Sequence, residues 1–371
     1  MKYLVILFLL ISVAQGSETI SGDIFAKRII VKEFTSNIKI KWLKTITDPH
    51  SFKYVVKAEI YPEDPNTMFL TMRGGGITIL DISNPSSPRV HQRWNRVNLD
   101  MEGQDRKGNI FITIARRGEL FVFKIHQNNR IYRVGHLKLP TIDVQKPFLF
   151  AIPALHTKIY SKGNDTYALI TCPWSKRLLV VDITIPSKPK YVSGINTRVK
   201  GIEAIQIYKD HAYVGGYRSN RFRVYDISNP IKLQLVQNIY NHDFLQMVPE
   251  MSKDYPNILF SALWGNPGGV VAFDLTKPDK IKILNMSLDE NFAKANRVKI
   301  NKDLILLPLE QPVGGFGIVK IRKKPFKLVK QLTMTHIPGV KKPYTMNFKG
   351  DYIYLFGSET NSMAILKVTK Y

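Results

Sequence analysis

The chain has 371 residues and a formal net charge of +25, from 54 Lys and Arg against 29 Asp and Glu, with Cys172 as its single cysteine. That length suits one large β domain or two ordinary ones. One cysteine excludes an internal disulfide framework, so stability has to come from a core, and the cation excess makes polyanions the natural partners.

The chain opens with MKYLVILFLLISVAQGSET, which has a single Lys2, an apolar run from Leu4 to Val13, and small residues Ala14 and Gly16. This is the pattern of a secretory signal peptide over residues 1–16, because the apolar run is too short to span a bilayer. No later run is long and apolar enough for a transmembrane helix. The expected localisation is therefore secreted and extracellular, which disfavours nucleic acid as a partner. It also makes the sequons Asn164-Asp-Thr and Asn285-Met-Ser expected glycosylation sites. Residues 17–36 are a lead-in with no assigned place, and residues 37–371 read as one domain.

That domain begins with NIKIKWLKTI at Asn37–Ile46, an alternating strand, followed by SFKYVVKAEIY. Next comes GGGITILDISNPSSPRV at Gly74–Val90: a glycine turn, an apolar strand, an aspartate and an Asn-Pro bend. Close copies return as RLLVVDITIPSKPKYV at Arg177–Val192, RFRVYDISNPIKLQLV at Arg221–Val236 and GVVAFDLTKPDKIKIL at Gly269–Leu284. Looser copies put Lys124, Lys320 and Lys367 where the others have Asp81, Asp182, Asp226 and Asp274. The seven anchors are 43, 58, 44, 48, 46 and 47 residues apart. A period in the forties with strand alternation and Gly/Pro/Asn punctuation excludes helical repeats and fits propeller blades.

Each period holds four short strands, as in GIEAIQIYKD, HAYVGGY, RFRVYDI and KLQLVQNIY. The predicted fold is an all-β, seven-bladed propeller of four-stranded antiparallel blades. The third strands are expected near 77–82, 120–125, 178–183, 222–227, 270–275, 316–321 and 363–368. The last unit ends without a fourth strand, so the segment at 37–46 is predicted to complete the seventh blade and close the ring. The recurring aspartate, at a strand end before a bend, reads as a turn former whose carboxylate accepts backbone N–H groups. Cys172, in the alternating strand YALITCPW, is expected to be buried and inert.

The copies ITILDISNPSSP, LLVVDITIPSKP, FRVYDISNP and VVAFDLTKP resemble the LVIVD repeat family of β-propellers. The resemblance implies the fold over nearly the whole chain after the leader and carries no catalytic residues with it.

Function on a propeller belongs to its two faces and its channel. The third-to-fourth turns carry Arg89, Arg130, Lys188, Lys190, Lys232, Lys280, Arg322, Lys323 and Lys324, with Lys327 just beyond. The polyanion-binding residues expected from this set are Arg322, Lys323, Lys324, Lys327, Lys188 and Lys190. First-to-second turns on the same face are expected to add Asp105, Asp165, Asp210, Asp254, Asp303 and Asp351 as local counter-charges. At the opposite face Glu102, Glu203, His242 and Asp243 are channel-mouth candidates, with Asp143 beside them, amid Arg73, Arg116 and other turn arginines.

There is no HExxH, P-loop, G-x-S-x-G or dinucleotide fingerprint, so no catalytic residue, metal or cofactor is expected. The expected function is a non-enzymatic, monomeric binding scaffold of the extracellular space or matrix, with an acidic polysaccharide or acidic extracellular protein as partner. The alternative is an enzyme, or a small-ligand or cation binder, at the channel mouth.

Overall fold

Runs such as RLLVVD have no polar side: Leu178, Leu179, Val180 and Val181 are all buried. A strand of this kind needs apolar surface against both faces. The computed structural model, which describes residues 30–33, 38–95, 99–140, 154–198 and 201–370, supplies it by stacking sheets around an axis. The leader expected at 1–16 lies outside the described residues.

Seven antiparallel sheets follow one another along the chain. Blade 1 consists of Val55–Ile60, Thr67–Met72, Gly76–Asp81 and Arg89–Trp94, and blade 2 of Met101–Lys107, Ile110–Ala115, Glu119–Ile125 and Ile131–Lys138. Blade 3 has His156–Lys162, Asp165–Cys172, Arg177–Asp182 and Lys190–Asn196; blade 4 has Ile202–Tyr208, His211–Gly216, Arg221–Asp226 and Gln234–Tyr240. Blade 5 has Gln246–Ser252, Tyr255–Trp264, Gly268–Asp274 and Lys282–Asp289. Blade 6 has Lys299–Asn301, Leu304–Leu309, Gly315–Lys323 and Phe326–His336. Blade 7 has Pro343–Lys349, Tyr352–Gly357 and Ser362–Lys370, and its outermost strand is Lys39–Thr47 from the other end of the chain.

The ring is thus closed by strand exchange, as the alternation in NIKIKWLKTI predicts. Part of the lead-in also finds a place: Ile30–Glu33 pairs outside Phe326–His336 and makes blade 6 five-stranded.

The core is divided into seven apolar clusters, each in the seam between two successive blades. The seam between blades 7 and 1 is filled like the rest, with Tyr354, Phe356, Met363 and Ile365 against Val55, Met68 and Leu80. First strands of neighbouring blades approach one another all the way round, and so line the channel.

Two further devices lock neighbouring blades. Every fourth strand carries a β-bulge at the same register against its third strand. A bulge sharpens twist and re-aims the next side chain, which here reaches the following blade. Gln92 exchanges two hydrogen bonds with the Ile131 backbone (3.1 and 2.8 Å), and Gln237 does the same with Ile281 (3.0 and 2.8 Å). Asn285 accepts from Leu328 N at 2.9 Å, and the Ser193 hydroxyl donates to the Pro230 carbonyl. In blade 2 the equivalent residue is Gly135, where a Cβ would sit 2.1 Å from the Pro186 carbonyl oxygen; only glycine permits that approach.

The recurring aspartates are turn formers. Asp81, Asp182, Asp226 and Asp274 each accept, through Oδ1, the backbone N–H two residues on, at 2.7–2.8 Å. The bond to Ser83 N lowers the Asp81 pKa below the usual carboxylate value. The prolines that follow present carbonyls to the preceding blade: Tyr354 Oη donates to Pro85 O and Tyr213 Oη to Pro278 O, both at 3.0 Å. The repeated motif is therefore the joint between blades.

Candidate functional site

The basic face is built from tight turns. Gly315–Lys323 and Phe326–His336 form a hairpin whose connection is only Lys324-Pro325. Arg322 stands directly opposite Lys327 in the ladder, and Lys323 opposite Phe326. All four cations, Arg322, Lys323, Lys324 and Lys327, are exposed. Like charges facing each other across a ladder are unfavourable, and no acid relieves them, since none of the four forms an ion pair among the described residues. Lys323 Nζ instead lies 5.3 Å from the centre of the Tyr255 ring.

Lys188 and Lys190 are exposed in the corresponding turn of blade 3. They share the face with blade 6, but blades 4 and 5 lie between the two groups on the shorter way round the ring, so the six cations form two patches.

Two acids of this face are paired with other lysines. Asp210 pairs with Lys162 at 3.1 Å, and Asp303 with Lys320 at 3.5 Å. Asp105 is a correction to the sequence reading, which placed it in a turn. It lies inside the first strand of blade 2, where its Oδ2 accepts Ile159 N at 2.7 Å and its Oδ1 is 3.5 Å from Lys158 Nζ. The Lys-Asp dipeptides of other blades suggest a turn there, but in blade 2 the strand continues to Lys107.

At the opposite face the structure separates the four mouth candidates. His242 is 84 % exposed at its side chain and, among the described residues, forms an ion pair only with Asp243, at 3.0 Å, in a loop outside the first strands that line the channel. Glu102 and Glu203 are buried and electrostatically coupled to each other. Glu102 takes Arg73 in a bidentate grip (Nε–Oε1 2.6 Å, Nη2–Oε2 3.3 Å), and Arg116 Nε is 3.0 Å from Oε1. Arg73 Nη1 also donates to Tyr54 Oη at 2.9 Å, and its guanidinium lies over the Tyr54 and Tyr344 rings at 4.7 and 5.1 Å. Burial opposes its charge, but Tyr344 and Glu102 outweigh burial and raise its pKa. Burial raises the Glu203 carboxyl, with Glu102 adding to the effect and Arg297 opposing it. Asp143 lies outside the described residues.

The channel bore holds a second group that the sequence reading did not select. Lys299 Nζ is 2.6 Å from Glu59 and 3.4 Å from Glu250; Lys57 Nζ is 3.8 Å from Glu59 and donates to Gln104 O at 2.8 Å. With Lys158 and Asp105, three lysines and three carboxylates from blades 1, 2, 3, 5 and 6 meet around the axis. The signal was in the sequence: charges inside first strands, as in VVKAEI and MEGQDRK, at positions where a buried strand should be apolar. Among the described residues no three His, Cys, Asp or Glu side chains form a metal-ligating group.

Of the two sequons, Asn164 is exposed in a first-to-second turn, whereas Asn285 is half-buried with its side-chain oxygen on Leu328 N. Cys172 is 3 % exposed, and burial pushes its thiol up to about 12, the Ser175 bond only partly offsetting that. A thiol this protected carries almost no thiolate at neutral pH. The native protein is therefore expected to leave a thiol-reactive disulfide reagent unreacted and to take up one equivalent after denaturation. Rapid labelling of the native form would contradict the burial.

Comparison with known proteins agrees with this architecture. The LVIVD repeat model matches residues 68–95 and 203–241. No curated protein matches the chain in sequence. Among solved structures, the chain is similar to the Cps50 (Swd1) β-propeller domain of Myceliophteria thermophila, at 12 % identity and a TM-score of 0.65, over 89 % of this chain and 100 % of that one. It is also similar to a Bacteroides fragilis protein provisionally named a 6-phosphogluconolactonase (9 % identity, TM-score 0.59, 74 % and 82 % covered). Sqt1 of Saccharomyces cerevisiae matches at 9 % identity and a TM-score of 0.57, over 85 % and 84 %. At such identities the likeness establishes the propeller and leaves activity to the site itself.

Proposed function

We propose that this chain, a seven-bladed propeller carrying LVIVD repeats, is a secreted, non-catalytic binding protein that holds polyanions of the extracellular space. Sulfated glycans or acidic proteins would lie on the face of the third-to-fourth turns. The observation that carries this reading is the hairpin of blade 6, where four exposed cations crowd together without a carboxylate. A sulfate or carboxylate polymer would relieve the repulsion between Arg322 and Lys327, and its binding would release counterions. The overall charge of +25 provides steering over a longer range. Secretion rests on the leader pattern of residues 1–16.

The test is elution of the mature protein from a sulfated-glycan column and from a cation exchanger of equal charge density. Elution at clearly higher salt from the glycan is expected. Replacing Arg322, Lys323, Lys324 and Lys327 by serine is expected to bring the two elution points together without changing thermal unfolding. Equal elution of the wild-type protein from both resins would overturn the reading.

A further inference from the structure

Two arginines at the channel mouth approach Tyr344, Arg73 at 5.1 Å and Arg297 at 4.9 Å from the ring centre. They differ in what they hold. Arg73 spends its Nε/Nη2 edge on Glu102 and its Nη1 on Tyr54. Arg297 is pinned by Nη1 alone, to the carbonyl and side-chain oxygens of Asn296 at 3.0 and 2.7 Å. Its Nε is buried with no partner, and its Nη2 makes no hydrogen bond among the described residues. The residue is only 6 % exposed. A buried guanidinium with its fork idle forfeits the strongest hydrogen bonds available to it.

The carboxylates nearby do not fill that edge. Glu102 is shared by Arg73 and Arg116, and Glu310 accepts from Asn296 Nδ2 at 2.7 Å. The backbone carbonyl of Glu203 accepts the Thr171 hydroxyl at 2.5 Å, but its side-chain carboxyl, in a residue 7 % exposed, accepts no hydrogen bond among the described residues. His156 is equally buried, and its imidazole is held neutral, well below its usual pKa, by burial first and by Arg297 second. Here a buried cation edge and a buried carboxyl each go without a hydrogen-bond partner among the described residues, which is costly.

The geometry points to a small-molecule site at this mouth for a hydroxylated carboxylate, a sugar acid or hydroxy acid, with its carboxylate on the Nε/Nη2 edge of Arg297 and a hydroxyl donating to Glu203. The carboxylate reproduces at Arg297 what Glu102 does at Arg73. The hydroxyl satisfies Glu203 without adding charge, and neutral His156 offers a second hydroxyl either a donor or an acceptor. This site lies on the opposite face from the lysine-rich hairpin and uses none of its residues, so it stands apart from the polyanion reading.

The experiment is titration calorimetry of the mature chain with D-glucuronate as probe, and with D-glucose and acetate as arms that keep only the hydroxyls or only the carboxylate. Glucuronate is expected to bind at least ten-fold more tightly than either fragment. Arg297→Gln is expected to weaken it at least ten-fold, and Glu203→Gln several-fold, while the serine variant of the blade 6 hairpin binds as wild type. Arg297→Lys keeps the charge and loses the planar fork, so it separates bidentate recognition from charge alone should the glutamine variant fail to fold; it is expected to bind like Arg297→Gln. Absence of glucuronate binding, equal binding of glucose, or full binding by Arg297→Lys or by Glu203→Gln would overturn the site.

Discussion

A chain shortened to begin at Asp48 is expected to lose cooperative folding altogether. The segment removed includes Lys39–Thr47, which pairs along its length with Ser362–Lys370 and so completes blade 7 from the other end of the chain. Its side chains serve two seams: Ile38, Ile40 and Trp42 pack between blades 6 and 7, and Leu43 and Ile46 between blades 7 and 1. Fully burying a large apolar side chain contributes about 1.5–3 kcal/mol. Five such residues, four of them partly buried, therefore contribute on the order of 5–10 kcal/mol, against a total stability of about 5–15 kcal/mol for a typical domain. The loss also bares the edge of Ser362–Lys370, an invitation to intermolecular pairing. Thermal unfolding and size-exclusion chromatography should show a broad or absent transition and aggregation. A second truncation beginning at Asn37 removes Ile30–Glu33 but keeps the closing strand, and should keep the full chain's oligomeric state and a sharp transition. Wild-type unfolding by the shorter chain would mean that blade 7 stands without its outer strand.

The scaffold was legible because its physics is local and periodic. Buried third strands read as unbroken apolar runs, and the Asp–Ile–Ser turns are decided within a few residues, so the seven units and the exchange closing them follow from the pattern. The channel was less legible. Glu102 and Glu203 are recognisable as strand-end carboxylates, but their neighbours Arg297 and Tyr344 come from blades 6 and 7, and no spacing in the sequence announces that meeting. His242 shows the opposite error: a titratable residue in the right class of loop turns outward, because Phe244 two residues on is the one that enters the core. Lys57, Glu59 and Lys299 were missed for a related reason. Each looks like an isolated charge in a strand until the ring brings all three to the axis. Long-range assembly, which the sequence encodes only through the fold, decides which polar residues become a site.

Glu59→Ala is expected to cost about 3–5 kcal/mol, the scale for removing one partner from a buried ion pair. Its carboxylate sits 2.6 Å from Lys299 and 3.8 Å from Lys57, both buried lysines. Burial alone would raise the Glu59 pKa, but Lys299, Lys57 and Lys158 overcome it and hold the group well below the usual carboxylate range. The sign follows directly. Because the folded value lies below the unfolded one, near 4.3, Glu59 stabilises the fold above roughly that pH and loses its contribution as pH falls toward the folded value. The Ala variant should therefore be less stable at neutral pH, and its stability should change less between pH 5 and 2. Lys57 shows the same pH sign in a higher window, although there the charged form is the one the fold disfavours. Burial first and Lys158 second depress it to about 8, below its unfolded value near 10.4. The unfolded chain then binds the proton first, and stability falls as pH drops from about 10.4 toward 8. Glu59→Ala combined with Lys57→Met should thus recover much of the loss, since it removes the cation left without its counter-ion while Lys299 keeps Glu250 at 3.4 Å. Denaturant unfolding of the single and double variants at pH 7 measures this coupling, and a Glu59→Ala protein within about 0.5 kcal/mol of wild type, the usual range for a surface substitution, would refute the account of the channel as an interlocked set of buried and half-buried charges.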